Sequence, residues 1–192
     1  DDEAAQYHKG QVDLLTPVVK SYASDQAFRV GETAIQVYGG AGYTRDFPVE
    51  QYCRDSKVFS IYEGTNHIQA LDLVSRKLGQ VGGRNTNAFF GDIAKFIAAN
   101  KSHAELGASI QGLERAHEAV TGSAMQLLTW FQMGQAERLP LVANRFLEMM
   151  SETVVAWLLL DQAMVAQKAL KTVAAGHPDK AFYEGKIASA KY

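Results

Sequence analysis

The chain has 192 residues, 47% of them apolar, and a formal charge of −2, which describes a globular chain long enough to build one domain or two. Without a basic excess it offers no surface to nucleic acid, and it carries no acidic tail. A single cysteine, Cys53, excludes an internal disulfide, fits a reducing compartment and stands in no metal-ligand pattern.

Residues 1 to about 15 are polar and weakly periodic, and read as a helix end or a loop. Thr16-Pro17 reads as a helix start, with threonine as cap and proline at the first helical position. Val18, Val19, Tyr22, Ala27, Phe28, Ala34, Ile35 and Tyr38 then form a helical stripe, which Gly39-Gly40 ends. These glycines are not a dinucleotide fingerprint, because no strand precedes them. Pro48 opens a helix that runs through Tyr52 and Arg54 to about Phe59. Arg54 and Asp55 are neighbours in sequence and do not face each other on a helix. Each is a solvated charge or finds a partner elsewhere.

Glu63 then lies on a sharp turn between two helical patterns. Gly64 has the conformational freedom such a turn needs, and Thr65 can cap the helix that follows. From Ile68 the apolar residues Leu71, Leu73, Val74 and Leu78 keep helical spacing. Glu63 thus stands just ahead of a helix N-terminus, where free N–H groups favour anions. A carboxylate so placed can be a general base, and the same placement suits an ordinary exposed turn residue.

The glycine-rich stretch from Gly79 to Asn87 is the best domain boundary in the chain, giving expected domains of 1–82 and 83–192. Beyond it Phe89, Phe90, Ile93, Phe96 and Ile97 make one apolar face. Ser102-x-x-Glu105 reads as a capping box for a long helix with the stripe Leu106, Ile110, Leu113, Val120, Leu127 and Phe131. Pro140 stands near the start of another long helix, reaching about Ala174. Its apolar run Val154–Leu160 is far shorter than the ~20 residues of a membrane helix, so no membrane span is expected. Gly176-His177-Pro178 breaks that helix, and a short one carries Phe182 and Ile187. With no β-alternation, the expected fold is all-α: a helical bundle followed by a second antiparallel helical unit.

Glu114-x-x-His117 has the spacing of di-iron bundles, but such a site needs two copies and two further glutamates. One copy is present, and a polar helix face accounts for it. No Cys/His set has zinc spacing, and no glycine-rich loop ends in Lys-Ser or Lys-Thr. No metal is expected.

Several motifs stand together in order. Gln36-Val37-Tyr38-Gly39-Gly40-Ala41-Gly42-Tyr43 is followed by Pro48, by Arg54-Asp55, and by Ile61-Tyr62-Glu63-Gly64-Thr65. Together they resemble the C-terminal signature of the flavin-dependent acyl-CoA dehydrogenases, over roughly the first 80 residues. The form Glu63-Gly64-Thr65-Asn66-x-Ile68-Gln69-Ala70-Leu71-Asp72-Leu73 is similar to a bacterial subgroup with an additional C-terminal domain, to which the 3-methylmercaptopropionyl-CoA dehydrogenases belong.

The resemblance implies α,β-dehydrogenation of an acyl-CoA thioester with FAD as cofactor. It implies Glu63 as the base for the α proton and Gly64 beside the thioester. It places Thr65, Asn66 and His67 against FAD, and Gln36 and Gly40 against the FAD of a neighbouring subunit. His67 departs from the glutamate, glutamine or glycine usual there, and Ala70 stands where many members have arginine. A base for a carbon acid is served by apolar surroundings, which raise a carboxylate's pKa. The Arg54-Asp55 pair is expected in structural ion pairing. Also implied are a homo-oligomer (dimer or tetramer), an electron-transferring flavoprotein as acceptor, and a bacterial cytoplasm. Members carry an N-terminal helical domain and a central β-domain ahead of the signature, and the start Asp1-Asp2-Glu3 suggests a fragment, inactive alone. Two other readings remain open: an acyl-CoA oxidase of the same fold, and a non-catalytic helical interaction module.

Overall fold

The computed structural model describes residues 2–174 and 176–191. Among them are seven α-helices and no strand, as the all-α expectation has it. They are α1 (Asp2–Tyr38), α2 (Val49–Ser56), α3 (Asn66–Asp72), α4 (Arg84–Asn100), α5 (Gly107–Gln132), α6 (Leu139–Leu170) and α7 (Lys180–Lys191).

α1 corrects one expectation. It runs unbroken from Asp2 to Tyr38 with Pro17 inside it, so Thr16-Pro17 is no helix start. Pro17 has no N–H for the carbonyl of Asp13, four residues back, and an unmet carbonyl inside a helix is costly. The Lys77 ammonium donates to that carbonyl and to the Asp13 carboxylate. Thr16 caps nothing; its hydroxyl donates to the Val12 carbonyl at 2.6 Å. The polar N-terminal stretch is held as helix by burial of Leu14 and by Gly10, where a Cβ would collide with the Asn85 side chain. The expected stripe also splits: Val18 is buried and Val19 faces outward. Gly39, with φ of 62°, ends the helix in a left-handed turn.

α2 follows Pro48 and tightens into a 3₁₀ turn over Lys57–Ser60. It crosses α1 closely at buried Gly31, where a Cβ would lie 2.8 Å from the Cα of Cys53. Glycine is required there by backbone approach, not by its φ. Gly31→Val should therefore push the two helices apart and cost about 2 kcal/mol, read from chemical denaturation. A change within about 0.5 kcal/mol would mean the helices part freely.

α3 buries Ala70 and continues into a π turn over Leu73–Lys77 that buries Leu73 and Val74. The glycine-rich stretch follows as a tight turn, with positive φ at Val81, Gly82 and Gly83.

The chain forms two compact units. One is made of residues 1–86 and 127–148, the other of 87–126 and 149–192. The sequence division at 82/83 cuts the chain in order, whereas these units cut it in space, with 127–148 packed in the first. The first unit buries Leu14, Val18, Ala70 and Leu73, with Leu139, Ala143 and Phe146 from α6. The second buries Ile93 on α4, Ile110 and Val120 on α5, and Met150 and Leu160 on α6, with the Phe89 ring edge-on to Trp157 at 5.9 Å. Phe131, expected on the α5 stripe, is exposed.

The start of α5 is a second correction. His103, not Ser102, holds the turn before it: the ring Nδ1 accepts from the amides of Glu105 and Leu106. The Glu105 carboxylate points elsewhere and accepts from Gln167 at 2.9 Å.

α6 is the third. Residues Ala136–Leu170 are long and apolar enough, by length and composition, to cross a membrane, with mean hydropathy 1.2 over the best window. The apolar run considered in the sequence is only the centre of this helix. Core helices pass the same test, and α6 buries residues along its length while carrying Arg145, Glu148, Glu152, Asp161 and Lys168, which hydrocarbon disfavours. It is a core helix by that pattern.

Candidate functional site

The turn that leads into α3 is one of two places in the first unit where a non-glycine residue has positive φ. Glu63 has φ of 55° and Gly64 φ of 79°, both left-handed. For glycine this is ordinary; for glutamate it is uncommon and costs about 1 kcal/mol. Val81 is the other non-glycine residue with positive φ among those described. Two hydrogen bonds hold the turn. The Thr65 hydroxyl caps α3 by accepting from the Ile68 amide at 3.3 Å, as its sequence position predicts. Gln69 Nε2 donates to the Glu63 carbonyl at 3.3 Å.

Glu63 opens onto a groove of about 290 Å³, lined also by Lys20, Ala23, Ser24, Ala27, Phe59 and Tyr62. Its walls are largely hydrocarbon and aromatic. Within this chain Glu63 is exposed, so any apolar enclosure of its carboxylate must come from what fills the groove. Four of the lining residues, Lys20, Ala23, Ser24 and Ala27, stand at i, i+3, i+4 and i+7 on one face of α1. The sequence reading missed them. The signal was a run of small residues at helical spacing beside a single lysine.

Asn66 follows the turn and is bound to α1 on every side. Its Oδ1 accepts from Lys20 Nζ at 2.8 Å. Its Nδ2 donates to Asp25 Oδ1 at 2.8 Å and to Ser24 Oγ at 2.9 Å. His67 is exposed, and its Nδ1 lies 3.1 Å from Asn144 Oδ1 of α6. Gln36 and Gly40 are not brought to this place. They are exposed at the C-terminal end of α1 and in the turn after it. Gln36 lies twelve residues beyond Ser24, about 18 Å along the helix axis.

The other motif residues are structural. Arg54 pairs with Glu50, one turn back, at 2.8 Å. Glu114 accepts from Lys101 at 2.7 Å, and His117 Nε2 donates to the Phe90 carbonyl at 3.0 Å. Among the described residues no three His, Cys, Asp or Glu side chains stand close enough to hold a metal ion.

Comparison with known proteins gives the family of the chain. Residues 2–78 match the acyl-CoA dehydrogenase C-terminal domain. Residues 89–192 match a second family, described as acetyl-CoA dehydrogenase C-terminal like. A broad-specificity linear acyl-CoA dehydrogenase of Mycobacterium tuberculosis is 36% identical over 94% of this chain and 30% of its own length. A butyryl-CoA dehydrogenase of Syntrophomonas wolfei is 30% identical over the whole chain and 31% of its own length. The 3-methylmercaptopropionyl-CoA dehydrogenase of Ruegeria pomeroyi is 30% identical over 98% of the chain and 32% of its own. The chain spans about a third of the length of these curated relatives. It belongs to the acyl-CoA dehydrogenase family, with the family's C-terminal helical domain followed by an additional C-terminal helical domain.

The family uses FAD, and the expected contact residues fit it unequally. Thr65 is exposed at the start of α3, and its hydroxyl, which accepts from Ile68, still has a proton to donate to a polar, anionic cofactor. His67 is exposed and has Nε2 beyond the nitrogen that meets Asn144. The Asn66 side chain does not fit: both amide protons are engaged, and Oδ1 faces Lys20 and Ser24.

Proposed function

We propose that this chain is the base-bearing C-terminal portion of an acyl-CoA dehydrogenase, in which Glu63 removes the α proton of an acyl-CoA thioester. FAD, when bound, supplies the acceptor for the β hydrogen, which leaves as hydride. Glu63 does the proton transfer, and its left-handed backbone aims the carboxylate from a fixed turn. Ala23, Ala27, Phe59 and Tyr62 offer the acyl chain apolar surface, and the bound chain covers the base. Gly64, without a side chain, lets the thioester approach the backbone. Thr65 and the α3 amides meet the cofactor, with His67 contributing its ring or its backbone.

The observation that carries this reading is the pairing of a strained, non-glycine turn with an apolar groove. A turn residue with no task would be cheaper as glycine, and strain of this kind concentrates at working sites. Gln36, about 18 Å beyond Ser24 along α1, and Gly40, in the turn after that helix, serve a second site, the FAD of a neighbouring subunit in a dimer or tetramer. An electron-transferring flavoprotein reoxidises the enzyme in a bacterial cytoplasm, and the chain alone is inactive.

The test uses the full-length enzyme loaded with FAD and mixed anaerobically with acyl-CoAs of graded length. Loss of the flavin absorbance with one or more of them is the expected result, and the fastest names the acyl class. No bleaching with any acyl-CoA would overturn the reading.

A further inference from the structure

Asn66 was expected to touch the cofactor, and its side chain is engaged by α1. The amide is polarised along one line. A cation, Lys20, sits at its oxygen, and an anion, Asp25, sits at its nitrogen. Between them the Ser24 hydroxyl accepts from Nδ2 at 2.9 Å and passes its own proton to the Ser21 carbonyl at 3.0 Å. Charge-assisted bonds at both ends fix which way the amide faces, and are stronger and shorter than neutral ones. Asn66 is half-buried, while Ser21 and Ser24 are buried. Asn66 is the first residue of α3, three positions after Glu63, so this network holds the base-bearing turn to α1.

Resting on the proposed role of Glu63, we infer that Asn66 is a positioning residue: with Lys20, Ser24 and Asp25 it clamps the start of α3 to α1 and so aims the Glu63 carboxylate into the groove. Lys20 belongs to both the clamp and the groove lining, which ties the aim of the turn to the wall the acyl chain meets. The clamp also explains the residue type. The Asn66 amide accepts from Lys20 at its oxygen and donates to Asp25 at its nitrogen. Aspartate in its place would accept from Lys20 but set two carboxylates together at residue 25. Alanine would leave Lys20 and Asp25 without their shared partner.

The inference is tested by swapping the polarity of the clamp in the full-length, FAD-loaded enzyme. Asn66→Asp should lower kcat about 10- to 100-fold, as a slight misaim of a reacting group does, with KM little changed and bound FAD per subunit unchanged. Adding Asp25→Asn should restore most of the lost kcat. The new amide at position 25 can donate to the new carboxylate at position 66, while Lys20 still donates to that carboxylate. Residue 25 would give no such rescue if Asn66 met the cofactor directly. Loss of FAD in Asn66→Asp, unrepaired by Asp25→Asn, overturns the inference and makes Asn66 a cofactor contact. Unchanged kcat in Asn66→Asp overturns it as well. Failure of the underlying reading looks different: Glu63→Gln would then keep its activity, whatever the residue 66 variants do.

Discussion

Glu63→Gln in the full-length enzyme is expected to abolish acyl-CoA-driven flavin reduction, a fall of about 10²- to 10⁴-fold or more, with FAD still bound. Glutamine keeps the size and polarity of the side chain and removes only the ability to take a proton. The left-handed turn, the Thr65 cap and the Gln69 bond to the Glu63 carbonyl all remain, since none uses the carboxylate. Equal bleaching by the wild type and the variant would place the base elsewhere. The backbone supplies a companion result. At φ of 55°, a residue with a Cβ is strained by about 1 kcal/mol, and glycine is not. Glu63→Gly should therefore be more stable than Glu63→Ala by about 1 kcal/mol, while both are inactive. A residue with a Cβ, held where glycine would be the more stable choice, is strain kept for activity. If Glu63→Gly and Glu63→Ala unfold alike, the turn carries no such strain.

What the sequence made legible was local. The turn needs a flexible residue, a cap and an apolar run, and Gly64, Thr65 and Leu71 to Leu78 supply these in the stretch that follows Glu63. The glycine stop at Gly39, the Pro48 start and the buried stripes of α4 and α5, Phe131 apart, were legible for the same reason. What the sequence concealed depends on distant partners. Pro17 reads as a helix start unless one knows that Lys77, far along the chain, meets the stranded Asp13 carbonyl. The α1 partners of the Asn66 side chain, Lys20, Ser24 and Asp25, are distant in sequence, and no local pattern shows them. The α5 cap was concealed differently. Ser102 and His103 are adjacent candidates, and only the turn geometry selects the ring. Helix identity was thus written in neighbouring residues, while the roles of polar side chains were written in the fold.

The largest stability effect follows from that same lysine. Lys77 is buried, and its ammonium serves the one α1 carbonyl that Pro17 leaves unmet, together with the Asp13 carboxylate. Lys77→Met keeps most of the buried stem and removes the donor. It should cost about 1–3 kcal/mol in chemical denaturation, since the part-buried Asp13 carbonyl loses its donor while the carboxylate keeps its hydrogen bond from Gln80. The control is Pro17→Ala, which returns an N–H to position 17. In that background Lys77→Met should cost clearly less, because the helix can now satisfy the Asp13 carbonyl itself. An equal cost in both backgrounds would mean that the carbonyl is not what Lys77 serves. The carboxylate adds a pH dependence with a definite sign. Its hydrogen bond from Lys77 first, and that from Gln80 next, hold the Asp13 carboxyl below its ordinary 3.8. A lowered pKa in the folded chain contributes stability that is fully present above 3.8 and is lost as pH falls through the folded value. Asp13 is part-exposed, so solvent screening keeps this contribution under about 1 kcal/mol. Asp13→Asn should accordingly flatten the stability curve below about pH 4 and leave its shape at neutral pH unaltered. A wild-type and an Asp13→Asn curve that fall in parallel through the acid range would show that the pair is not what acid breaks.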